Sequence, residues 1–151
     1  MIGVILAAGM AKRLRPLTDT QPKCLLKVGE RTLLERTVDA QLAAGINELV
    51  VVTGYRGEMI RNFLTEHYPS LTIHFIHNAD YEHNNNIFSL WMTRPYTDGK
   101  DFLLMDSDIL LDPQLVPHSV HSGPLLRVEN PRVQDYLNLD LLSIFASNAH
   151  V

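Results

Sequence analysis

Four short, almost wholly apolar runs, separated by segments with helical spacing, restrict the folds open to this chain more than any other feature. The runs are Ile2-Gly3-Val4-Ile5-Leu6, Leu49-Val50-Val51-Val52, the stretch 71–76 and Phe102-Leu103-Leu104-Met105. Successive side chains of a strand point to opposite faces, so a uniformly apolar run needs cover on both faces, as in a parallel sheet sandwiched by helices. Helical segments lie between the runs. Leu34, Val38 and Leu42 recur at helical spacing over 32–44 and Gly45 follows as a cap; Ile60, Phe63, Leu64 and His67 share a face over 57–68 and Pro69 stops that helix; Ile87, Leu90, Trp91 and Arg94 mark a third, ended by Pro95. Strand and helix alternate with short connections, which predicts an α/β fold: a doubly wound, mostly parallel, Rossmann-like sheet with helices on both faces. Ligands of such sheets bind beyond the carboxyl ends of the strands. Three polar clusters fall there, at 7–13, at Thr53-Gly54-Tyr55 and at Asp106-Ser107-Asp108.

Composition narrows the setting. A chain of 151 residues that is 46% hydrophobic and 20% charged suits one folded core. Nothing in it approaches the roughly 20 apolar residues of a membrane span, and the first residues lack a basic leader and cleavage site, so no membrane partner and a cytoplasmic location are expected. Cys24 is a single cysteine, which leaves no internal disulfide. The net charge of −4 argues against broad nucleic-acid binding. Beyond residue 115 the rhythm fades among Pro117, Pro124 and Pro131, and helical spacing returns only over 136–145. The expected organisation is therefore a core of 1–115 and an atypical C-terminal segment of 116–151.

The loop after the first run is where chemistry concentrates. Leu6 ends a strand, and Ala7, Ala8, Gly9 and Ala11 put almost no side chain between backbone amides and an approaching anion. Arg13 adds a planar fork of donors and Lys23 a compact point charge, both suited to phosphate oxygens. Neither Gly-x-x-x-x-Gly-Lys-Ser/Thr nor a dinucleotide fingerprint is present. A bare strand-to-helix turn with solvated basic residues has the same composition, so the loop alone does not decide between the two. Other groups read as structural. His74 and His77 are three apart on a strand and face opposite sides; His118 and His121 would share a face only in a helix, and Pro117 with no third ligand nearby argues against zinc. Cys24, beside Lys23, reads as packing rather than as a nucleophile, and Trp91, spaced with Ile87, as core rather than as a platform for a quaternary ammonium.

Leu6-Ala7-Ala8-Gly9, then Arg13-Leu14, Pro16-Leu17-Thr18 and Pro22-Lys23, resembles the nucleotide-binding loop of the sugar-phosphate nucleotidyltransferase family. Leu33-Leu34-Glu35, the turn from Val51 to Tyr55 and Asp106-Ser107-Asp108 follow in the family's order, and Asn84-Asn85-Asn86-Ile87-Phe88-Ser89-Leu90 is similar to a segment of its phosphocholine cytidylyltransferase-like branch. The resemblance covers about residues 1–115. It implies Mg²⁺-dependent transfer of a nucleotidyl group, with CTP as the favoured triphosphate, to a phosphomonoester such as phosphocholine or a sugar 1-phosphate, releasing pyrophosphate. Carried over residue by residue, it implies a nucleotide site of Leu6, Ala7, Ala8, Gly9, Ala11, Arg13, Lys23, Asn85, Asn86 and Ser89. Arg13, Lys23 and Asp108 become the catalytic set, and Asp108 with Asp106 the metal site. Capping of a helix by asparagine is the alternative for Asn85 and Asn86. There are two departures. Ala11 stands where the family usually has a second glycine, and the chain is short of the half that carries a further metal carboxylate and the acceptor pocket. The alternative is thus a catalytically incomplete nucleotide-binding domain acting through a partner or a homo-oligomer.

Overall fold

The structure is a computed structural model; it describes residues 1–110, 112 and 114–122, without the side chains of His118, Ser119, His121 and Ser122. The predicted alternation is present. β1 (Ile2–Ala7) is joined through α1 (Leu33–Ala43) to β4 (Glu48–Thr53), through α2 (Gly57–His67) to β5 (Thr72–His77), and through α3 (Asn86–Met92) and α4 (Arg94–Thr97) to β6 (Phe102–Asp106). These four strands form one parallel sheet in the order β5-β4-β1-β6. The chain winds outward from β1 to β5 and then returns to lay β6 on the other side of β1. That reversal opens a crevice between the carboxyl ends of β1 and β6, the usual place for a ligand.

Alternation along β1 supplies both cores. Ile5 and Ala7 join Leu34, Val38, Ile60 and Leu64 on one face, while Val4 and Leu6 join Leu90, Ile87 and Tyr96 on the other. Helices therefore cover both faces. α1 begins where Thr32 and Glu35 cap each other: the Thr32 hydroxyl accepts from the Glu35 amide (3.0 Å) and the Glu35 carboxylate from the Thr32 amide (2.6 Å). It ends as the glycine predicted, with Gly45 at φ 80° donating to the Leu42 carbonyl and Ile46 donating to that of Gln41.

Several elements differ from expectation. A two-stranded hairpin of β2 (Lys27–Val28) and β3 (Arg31–Thr32), turning at Gly29 with φ 68°, precedes α1; strands this short carry no periodicity to read. Pro95 does not end a helix but lies in the first turn of α4, where its missing N–H costs nothing. Pro117 behaves likewise inside α5 (Leu115–Ser122), a helix that the fading pattern hid and that adds Val116 to the α1 side of the core. Trp91 is 42% exposed and stacks on Phe88, with ring centroids 5.5 Å apart. The inward face of α3 and α4 includes Ser89, Thr93 and Thr97, so apolar spacing pointed Trp91 the wrong way. The helix expected over 136–145, and the rest of the C-terminal segment past 122, lie outside the described residues. Among the described residues no helix is long and apolar enough to cross a membrane.

One core position is frustrated. Gln41 is fully buried, and neither its Oε1 nor its Nε2 has a hydrogen-bond partner among the described residues. Its amide lies over Gly3, where an added Cβ would fall 1.8 Å from Oε1. A buried unpaired amide costs about 1–3 kcal/mol. Gln41→Met, which keeps length without polar atoms, should therefore raise the unfolding free energy by about 1 kcal/mol or more in urea titration; an unchanged midpoint would show that the amide is satisfied.

Candidate active site

The crevice is built first from the backbone after β1. The Leu6 carbonyl accepts from the Ser107 amide (3.2 Å) and the Ala8 carbonyl from the Tyr55 amide (3.0 Å), so the loop is stitched to the ends of both flanking strands. Leu6, Ala7 and Ala8 are buried and Gly9 is exposed. From Gly9 to Arg13 no backbone amide has an acceptor among the described residues. Five donors in a row are thus available to an anion. Ala11 sits in the left-handed region (φ 49°, ψ 46°) at the start of a short 3-10 turn, Lys12–Leu14. A glycine would fit that conformation freely, and the methyl costs about 1–2 kcal/mol there.

What holds Ala11 in place comes from elsewhere. The buried Thr18 hydroxyl donates to the Ala11 carbonyl (3.1 Å), the Tyr55 hydroxyl points at the carbonyls of Thr18 (2.9 Å) and Asp19 (3.2 Å), and Arg56 donates to Tyr55 Oη (3.0 Å) and to the Asp19 carbonyl (2.7 Å). The turn after β4 therefore clamps the loop after β1. Gly54 permits the approach: a Cβ there would lie 2.6 Å from the Ala8 carbonyl oxygen and 2.8 Å from Tyr81. Thr53-Gly54-Tyr55 stood out in the sequence as a polar cluster, but nothing in the sequence tied it to Thr18.

The acidic side of the crevice follows β6. Asp106 closes the strand and Ser107 and Asp108 form a turn, so a bend brings the two carboxylates near each other. Lys23, on the short 3-10 turn Lys23–Leu25, is ion-paired with Asp108 across 85 residues of sequence. Burial and the neighbouring Asp108 hold the Asp106 carboxyl above the usual carboxylate range, against the pull of Lys23. Asn86 Nδ2 donates to Asp106 Oδ1 (3.4 Å). Cys24 is 2% exposed, and burial pushes its thiol up to about 12 while Ser107 hydrogen-bonds it. It is packing, as expected, and it fixes the Lys23 turn against the acidic one.

The asparagine segment divides. Asn85 Oδ1 caps α3, accepting from the amides of Ile87 (3.1 Å) and Phe88 (3.3 Å), which leaves only its Nδ2 for a ligand. Ser89 is 2% exposed and its Oγ accepts from Asn78 Nδ2 (3.0 Å), so it faces inward and supports the segment from behind. Asn78, buried and unnoticed in the sequence, also exchanges hydrogen bonds with Asn84 (2.7 and 3.1 Å). Arg13 is exposed and has no ion-pair partner among the described residues. Lys23, Asp108, Asp106 and Asn86 thus form one connected group, with the open amides beside them across the Leu6–Ser107 bond. No cluster of three or more His, Cys, Asp or Glu able to hold a metal occurs among the described residues. Two carboxylates suit a hard cation that takes its other ligands from water and phosphates.

Comparison with known proteins gives the family and the fold. The profile of the family described as nucleotidyl transferase matches residues 2–119. The chain is 36% identical over 104 residues to the CTP:phosphoglutamine cytidylyltransferase of Campylobacter jejuni, covering 69% of this chain and 38% of that protein. It is 33% identical over 115 residues to a UTP–glucose-1-phosphate uridylyltransferase of Haloferax volcanii, covering 76% and 46%. Among solved structures, the CTP:phosphocholine cytidylyltransferase of Streptococcus pneumoniae superposes with a TM-score of 0.61 at 29% identity, over 76% of this chain and 50% of that one. The chain spans half or less of the length of these relatives.

Two stability measurements check the site's geometry. Ala11→Gly removes the left-handed penalty but frees the unfolded chain by about 0.4–1 kcal/mol, so a net gain of about 0.5–1 kcal/mol is expected in chemical denaturation. Asp106→Asn tests the raised carboxyl. Its folded pKa lies above the unfolded one, so ionisation penalises the fold from the unfolded pKa upward and fully once pH exceeds the folded value. The variant should melt above the parent at pH 7.5, and the difference should vanish near pH 3, where both side chains are neutral; a parent that melts higher at neutral pH would contradict this.

Proposed function

Because this chain belongs to the nucleotidyl transferase family, we propose that it binds a nucleoside triphosphate along the Gly9–Arg13 amides and transfers the nucleotidyl group to a phosphomonoester. The observation that carries this reading is that the loop with those open amides leaves β1 beside the end of β6, which carries Asp106 and Asp108, with Lys23 paired to Asp108. CTP is the favoured triphosphate and phosphocholine or a sugar 1-phosphate the favoured acceptor class, since relatives named for CTP and for sugar phosphates both appear among the matches.

The chemistry asks little of a protein base. An acceptor phosphate, whose second pKa is about 6, is already ionised near neutral pH. Its oxygen attacks the α-phosphorus, the bond to the β-phosphate oxygen breaks, and pyrophosphate leaves. This requires alignment and a counter-charge. The loop amides bind and orient the phosphates, Arg13 pairs with the triphosphate, and Lys23 offsets charge at the reacting phosphates. Asn86 and the free Nδ2 of Asn85 offer donors to the base or ribose. Asp108, with Asp106 beside it, would hold Mg²⁺, which supplies charge neutralisation on the phosphates. Burial and then the neighbouring Asp108 hold the Asp106 carboxyl above its usual range, and a cation beside the two carboxylates would offset both.

The described residues that gather beside the ends of β1 and β6 fit the nucleotide side of such a site, which also suits a second reading, a nucleotide-binding domain that completes its site with a partner or a second copy. Pyrophosphate release with Mg²⁺, each common triphosphate and a panel of phosphomonoesters separates the two. Turnover with at least one pair is expected, falling at least about 100-fold in Asp108→Asn. No turnover with any pair, together with a raised Tm in CTP, would favour the binding domain. Full Mg²⁺-dependent turnover in Asp108→Asn would overturn the metal assignment.

A further inference from the structure

The Lys23–Asp108 pair joins two groups that the proposed reaction needs apart, one for phosphates and one for a cation. Each side chain is 34% exposed, and among the described residues no other Lys or Arg ion pair is so withdrawn from water; the rest have partners 42–62% exposed. Partial withdrawal strengthens the attraction and makes a lone Asp108 carboxylate costly. The backbone on both sides is fixed. Cys24 is buried against Ser107, and the Ser107 amide is bonded to Leu6, so Lys23 can leave Asp108 only by a swing of its four-carbon side chain.

Resting on the reading above, we propose that Lys23 is a built-in counter-ion for the carboxylate pair, exchanged for a divalent cation when a triphosphate draws its ammonium away. In the free protein Lys23 occupies the electrostatic place of the cation and holds cation affinity down. Phosphate oxygens on the neighbouring amides compete for the ammonium, and Asp108 is released as they win. Nucleotide and cation then bind with positive coupling, and by linkage each strengthens the other by the same factor. The chain thereby avoids loading a divalent ion in an empty crevice.

The test is Mn²⁺ binding to the full chain without nucleotide, read by electron paramagnetic resonance of free Mn²⁺. Lys23→Met should bind Mn²⁺ at least about fivefold more tightly than the parent, within the usual range of coupling. Lys23→Gln should do the same, and serves if the methionine variant does not fold. Lys23→Arg, which keeps the charge, should stay as weak as the parent. Adding Asp108→Asn to Lys23→Met should abolish the gain. Parent-like affinity in both Lys23→Met and Lys23→Gln, with binding still lost in Asp108→Asn, would overturn the exchange and leave the metal assignment standing. Tight binding that survives Asp108→Asn would overturn both.

Discussion

Parallel pairing of β1 on both of its edges is the interaction from which the site follows. Its ladder with β4 sets Ala7 opposite Thr53, and its ladder with β6 sets Leu6 opposite Asp106. Those registers bring the ends of three strands level, so the loops that leave them emerge side by side. Residues about one hundred positions apart meet only because hydrogen bonds in the sheet fix their backbones within a strand spacing of each other. The uniformly apolar side chains of β1 make the pairing possible, since both faces are buried and a slip of register would disturb both cores at once.

On that frame the crevice is stiff in its backbone and unsettled in its charges. Glycine at 54 lets the β4 turn press on Ala8, and Tyr55 and Arg56 hold the segment that forces Ala11 into a conformation its methyl dislikes. Opposite, burial and the neighbouring Asp108 raise the cost of ionising Asp106, and Lys23 offsets only part of it. Strain and unbalanced charge at one place in an otherwise regular fold are what a ligand site requires, because a preorganised set of donors and charges is held at the expense of stability.

Much of this was legible in order along the chain. The apolar runs announced the strands, Gly45 announced the end of α1, and the small residues after Leu6 marked a loop whose amides stay open among the described residues. Where the structure differs, a local rule was overridden by its surroundings. Trp91 was assigned inward because apolar spacing was the signal, yet the inward face of α3 and α4 is lined by Ser89, Thr93 and Thr97, whose hydroxyls find partners inside. Pro95 and Pro117 were taken as breaks, although a first helical turn tolerates proline.

By itself the sequence determined which segments form the four parallel strands and the helices between them, and where α1 ends, because periodicity and a cap glycine act over a few residues and are written locally. Only the tertiary structure decided that Tyr55 and Arg56 clamp Thr18 and Asp19, that Asn78 supports Ser89, and that Lys23 neutralises Asp108. Those contacts join residues 11 to 85 positions apart. No local pattern encodes them, since each depends on where the sheet sets two loops relative to one another.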